Sequence, residues 1–336
     1  MKRIIVNAVF MFAVWTIFII LCTPASARKI KMFDISQTAM DEWGSSWCAP
    51  TAVGNSFAWL AKEYKLDGLM KVNGTGAAMS AETVIHVLGN VDMDTGPETG
   101  TLRSKITQAK KDYIERHGYK DIIKIESKVG MPIRLADGSF GGYSGDQVSS
   151  QWLKQQYDKG QDVEFSVSYY EKSGEKWYRT GGHADVYDGD VPGFYSGGHM
   201  LSMSNIFTPG DDPFSDFVVS FTDPGRDDLA GEYGAIASDQ YWLEDYAGNN
   251  WFNTESTYNV IYDPDPFGVG IGGLLLDGYQ GEGDFISDGD ARTHLTIIEA
   301  GWAESPIPEP STVITMLIGL AAIGLFQYGR IKNHSA

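Results

Sequence analysis

Cysteine is almost missing from this sequence: its 336 residues contain two, Cys22 and Cys48. So few thiols cannot build a disulfide framework, and once Cys22 leaves with the leader described below, Cys48 has no internal partner. Histidine is also scarce, with six copies, and positive charge is outnumbered, 26 Lys and Arg against 44 Asp and Glu. The formal charge of −18 repels phosphate backbones, which removes nucleic acid from the expected partners. No internal repeat is visible.

Both ends carry distinctive patterns. Met1-Lys2-Arg3 precede an apolar stretch from Ile4 to Leu21 and the small-residue box Ala25-Ser26-Ala27, the layout of a secretory signal peptide over residues 1–27. An uncleaved membrane anchor is the alternative reading; with cleavage by signal peptidase the mature chain begins at Arg28. At the far end Pro308-Glu309-Pro310 leads into an apolar run, Val313 to Phe326, followed by Arg330 and Lys332. With snorkelling flanks, residues 312–328 reach the length of a membrane-spanning helix. Basic residues beyond it stay cytoplasmic and leave the body outside the inner membrane. This order of features over residues 306–336 resembles the PEP-CTERM sorting signal. The resemblance implies transfer to an exosortase, a cut near Pro-Glu-Pro and a transient inner-membrane anchor. The mature protein is then displayed on or released from the surface of a Gram-negative bacterium that makes extracellular polysaccharide. This is an address, and it carries no chemistry.

The body, 28–305, is long enough for a sizeable core and reads as one domain with insertions. Lys29 to Ile35 is extended. Ala49, Ala52, Val53, Phe57 and Leu60 repeat at helical spacing directly after Cys48, with Pro50 in the first turn, where its missing amide proton is harmless. A second helix is expected over Val148 to Tyr157, ending at Gly160. Strands are expected over Val163 to Tyr170, His199 to Ile206, Phe217 to Thr222 and around His294 to Ile298, separated by Gly- and Asp-rich loops.

A lone exported thiol is either a small buried apolar residue or a nucleophile. A thiolate is favoured at a helix N-terminus or beside an imidazolium, and the pattern places Cys48 at such a terminus. His199 opens a strand after Gly197-Gly198, and a second strand ends at Asp223; on neighbouring strands the two lie side by side. His199 then serves as base, Asp223 as its orienting group, and Gln37 with the Cys48 backbone amide as an oxyanion hole. His183 and His294 are rival bases, and Asn205 and Asn250 are rival orienting groups. Asp223 in Asp-Pro-Gly also reads as a plain turn residue. The acidic loops 185–190 and 288–290 offer oxygen ligands for calcium but complete no known loop signature, and they read more readily as solvated acidic turns.

These residues resemble the papain-like cysteine peptidases, nearest in pattern to the C39-like members. Gln37 precedes Trp47-Cys48-Ala49-Pro50 by about the family's spacing, and Gly198-His199 and Asp223-Pro224 follow in the family's order. The resemblance covers roughly residues 33–60 and 147–225. It implies an α+β fold in which an N-terminal helix bearing the cysteine packs on an antiparallel sheet bearing His and Asp. It also implies peptide or protein substrates and no metal or organic cofactor. The long segment between Leu60 and Gln147 and the region after Asp223 depart from the family's pattern. The competing reading is a non-catalytic surface or matrix protein that binds through its abundant Tyr, Trp and Phe.

Overall fold

The computed structural model describes residues 30–35, 46–96, 100–180, 198–207, 216–224, 237–279 and 294–306. Helix α1, Cys48–Tyr64, is buried at every position from Ala49 to Ala61. Its small residues permit close packing: a Cβ on Gly54 would lie 2.6 Å from Ile85, which belongs to α2, Ala81–Val87. The helix ends at Lys65, whose left-handed backbone (φ 56°) turns its N–H to the Ala61 carbonyl. Helix α3, Arg103–Arg116, buries Ile106, Ala109, Lys110, Tyr113 and Ile114, one stripe at helical spacing. Helix α4, Ser150–Asp158, is capped by Ser149, whose hydroxyl accepts the Trp152 amide.

Among the described residues eleven strands follow the helices or lie between them. β1 is Ile123–Val129, β2 Met131–Arg134, β3 Phe140–Ser144, β4 Asp162–Ser173 and β5 Lys176–Thr180. β6 is Gly198–Phe207, β7 Phe217–Thr222, β8 Ala237–Glu244, β9 Asn250–Asp263, β10 Gly273–Leu276 and β11 His294–Pro306. β2 and β3 form a separate hairpin, and the other nine strands make one sheet. Within it β4, β6, β7, β9, β10 and β11 pair in succession, and β11 pairs back onto β4, so the antiparallel sheet closes into a ring. β1, β5 and β8 extend its edges.

Directly paired residues share a face, so the registers locate the core. Val163 pairs Met203, Phe165 pairs Leu201 and Val167 pairs His199; Met203 in turn pairs Phe221. That face holds an aromatic cluster: Phe165 meets Phe221 edge-on at 5.5 Å, and Phe221 stacks on Tyr258 at 5.2 Å. The opposite face of β4 and β6 receives α1, with the Ser202 hydroxyl donating to the Ala52 carbonyl at 3.1 Å. The extended segment 30–35 is sewn across sheet and helix: Ile30 N–H donates to Ser204 O, Asp34 N–H to Asn253 Oδ1 and Ile35 N–H to Asn55 Oδ1.

Candidate functional site

Cys48 is the first residue of α1 and is half-buried. The N-cap residue Trp47 supplies no side-chain acceptor for the opening amides, and no carboxylate stands in the first turn. The positive end of the helix macrodipole is therefore left to the sulfur. Trp47 is buried because the turn after α2 leaves it room: a Cβ on Gly89 would be 2.5 Å from its ring. His86 meets that ring edge-on at 5.2 Å, in keeping with a packed helical residue.

The carbonyl oxygen of Gly198 lies 4.0 Å from Cys48 Sγ. Glycine is required there by proximity, since a Cβ would stand 2.4 Å from the Val167 carbonyl oxygen and 3.2 Å from the Arg179 guanidinium. The next residue, His199, faces Asp223: Nε2 and Oδ1 are 2.5 Å apart, with side-chain exposures of 14% and 8%. The strand register explains the meeting. Ser202 pairs Thr222 and Met203 pairs Phe221, so continuing the register sets Asp223 opposite Leu201, diagonal to His199 on the same face.

Burial works against a charged His199, but the charge and hydrogen bond of Asp223, joined by the hydrogen bond and charge of Cys48, push its pKa up to about 10. Asp223 and Cys48 thus act on one ring. With Nε2 committed to Asp223, Nδ1 is the nitrogen left for the sulfur. Asp223 has a second engagement that the sequence did not suggest: the Tyr279 hydroxyl donates to Oδ2 at 2.6 Å. Tyr279 is 2% exposed and lies far along the chain, after β10. Its only local signal is an aromatic residue beside glycine.

Gln37 and His183 lie outside the described residues, as do the acidic loops 185–190 and 288–290. His294 opens β11 with its side chain 46% exposed and Nε2 3.9 Å from Glu171. Asn205 is buried in β6 and accepts the Ile206 amide, and Asn250 is exposed at the start of β9. Among the described residues, Asp162, Glu164 and Glu304 gather carboxylate oxygens within 4.8 Å of one another. The cation among them is the protein's own: Lys110 Nζ lies 2.6 Å from Glu164 and 2.7 Å from Glu304.

Among the described residues no helix is long and apolar enough to cross a membrane, and the candidate segment 312–328 lies outside them. A search of curated proteins gives no match to the chain. Residues 306–330 match the PEP-CTERM protein-sorting motif, which marks an exported protein processed by exosortase.

Proposed function

We propose that the body is an exported papain-like cysteine hydrolase, most simply a peptidase. The observation that carries the reading is His199 2.5 Å from Asp223 while the carbonyl of the adjoining Gly198 lies 4.0 Å from the sulfur of Cys48, with that sulfur at the positive end of α1. In this reading the Cys48 thiolate attacks the carbonyl carbon of a peptide bond, forming a C–S bond and placing negative charge on the carbonyl oxygen. Gln37 and the Cys48 backbone amide receive that oxyanion. His199 gives its proton to the leaving amine as the C–N bond breaks. It then takes a proton from water, which attacks the acyl carbon and releases the acid and the thiolate. Asp223 keeps the imidazole oriented and its charge balanced. The α+β arrangement of α1 on an antiparallel sheet supports the papain-like assignment.

A second reading, a non-catalytic surface or matrix-binding protein, is favoured by Trp242 and Phe252. They pair across β8 and β9 at 5.2 Å between ring centres and are 65% and 42% exposed. The two readings separate at Cys48. Iodoacetamide labelling across a pH series, comparing wild type with His199→Ala, is expected to show labelling that persists at acidic pH and is lost in the variant. Labelling that behaves as a free thiol in both proteins, or that needs unfolding in both, sinks the hydrolase reading.

A further inference from the structure

We propose that Tyr279 is a positioning residue of this site, acting through Asp223 on the orientation and charge of His199. The inference rests on the cysteine-hydrolase reading. Asp223 offers two carboxylate oxygens, and each is engaged: Oδ1 by His199 at 2.5 Å and Oδ2 by the Tyr279 hydroxyl at 2.6 Å. A carboxylate held through one oxygen is free to rotate about its Cβ–Cγ bond. A donor on the second oxygen fixes the plane, and with it the direction in which the imidazole is held. An O–H donor to an ionised carboxylate is also a short, charge-assisted bond that favours the ionised form.

The phenol is itself well placed for this work. Its ring meets Phe221 at 5.5 Å and Tyr258 at 5.4 Å, both edge-on, so the aromatic cluster inside the strand ring aims the hydroxyl. Its carbonyl oxygen accepts the Thr296 hydroxyl at 2.9 Å, tying the turn after β10 to β11. Asp223 stands one residue beyond the end of β7. Tyr279 constrains the second of its two oxygens.

Tyr279→Phe keeps both ring contacts and removes only the hydroxyl. The test uses the full chain carrying C22A, so that Cys48 is its sole thiol, with folding checked by circular dichroism. Labelling by iodoacetamide is followed from acidic to alkaline pH, and the His199 imidazole is titrated by NMR, its signal identified with His199→Ala. The expected result is labelling at neutral pH lowered about three- to tenfold, the loss that a single hydrogen bond of ordinary strength gives. The imidazole midpoint should move toward that of a free histidine.

If His199→Ala abolishes the acid-side labelling while Tyr279→Phe matches wild type in both readouts, the positioning role is overturned and the hydrolase reading stands. If His199→Ala changes nothing, the hydrolase reading falls and takes the proposal with it. Should Tyr279→Phe fail to fold, 3-fluorotyrosine placed at 279 strengthens the donor without disturbing the packing. A shift of the imidazole midpoint then supports the proposal, and an unmoved midpoint overturns it.

Discussion

The missing side chain of Gly198 lets β6 lie against the Val167 carbonyl while its own carbonyl faces Cys48. Gly198→Ala is expected to cost about 1–3 kcal/mol in urea unfolding, the usual effect of forcing an extra methyl into a packed site. It should also remove the His199 dependence of Cys48 labelling. The imidazole gives a second expectation. Its folded pKa, about 10, lies above the ordinary value of 6.5. The stabilisation it contributes is therefore complete below about pH 6.5 and is lost as pH rises through about 10. Unfolding midpoints measured from pH 6 to pH 10 should fall more steeply for wild type than for Asp223→Asn, which removes the charge holding the proton. Cys48, His199 and Asp223 were legible in the sequence because each sits at a boundary with local punctuation: Pro50 after the thiol, glycine before the histidine, Asp-Pro closing a strand. Tyr279 was not, since its role exists only after β10 and β7 are brought to the same end of the ring.

At the scale of elements, the helix after Cys48 and the strand over Phe217–Thr222 are found where their periodicity sets them. The helix expected over Val148 to Tyr157 runs Ser150–Asp158 because Ser149 caps it, and the strand expected to end near Ile298 continues to Pro306. Helix α3 escaped notice for a physical reason. Lys110 interrupts its apolar stripe, yet that lysine is fully buried, facing Asp162 and Glu164 of β4 and Glu304 of β11. Burial disfavours its charge, but Glu164, Glu304 and Asp162 together hold its pKa above the ordinary value. Burial first, and then the Glu164 charge, raise Glu304 and Asp162 well above the carboxylate range despite the opposing pull of Lys110. Lys110→Met is expected to cost about 3–5 kcal/mol in urea unfolding, the range for stranding one side of a buried ion pair. For Glu304 the sign runs the other way from the usual carboxylate. The folded state holds a proton that the unfolded state releases, so stability falls as pH rises above about 4.3. Glu304→Gln should flatten that decline between pH 5 and pH 9, and a variant as steep as wild type would remove the carboxyl from the account.

Taken whole, the molecule is a helical layer on a sheet whose two ends in the chain meet. β4 and β11 are far apart in sequence and pair along ten positions, from His294 opposite Glu171 to Glu304 opposite Asp162. β11 also carries β10 and β1 on its other edge. A chain ending at Ile298 keeps the thiol, the imidazole and Asp223 but loses half of this seam, the pairs from Ala300 to Glu304. It is expected to lose cooperative unfolding and the acid-side labelling together, whereas removal of residues 307–336 should leave both intact. The pattern of the sequence suggested one domain but gave no hint of closure, because a ring is a property of which strands pair and not of any strand's composition. The closing strand ends at Pro306, where the sorting motif begins. During export, then, the body stays open until nearly all of it has crossed, and the step that completes the fold coincides with presentation of the tail. On the hydrolase reading proposed above, a thiol nucleophile assembled only at that moment is kept from acting on its surroundings throughout the passage.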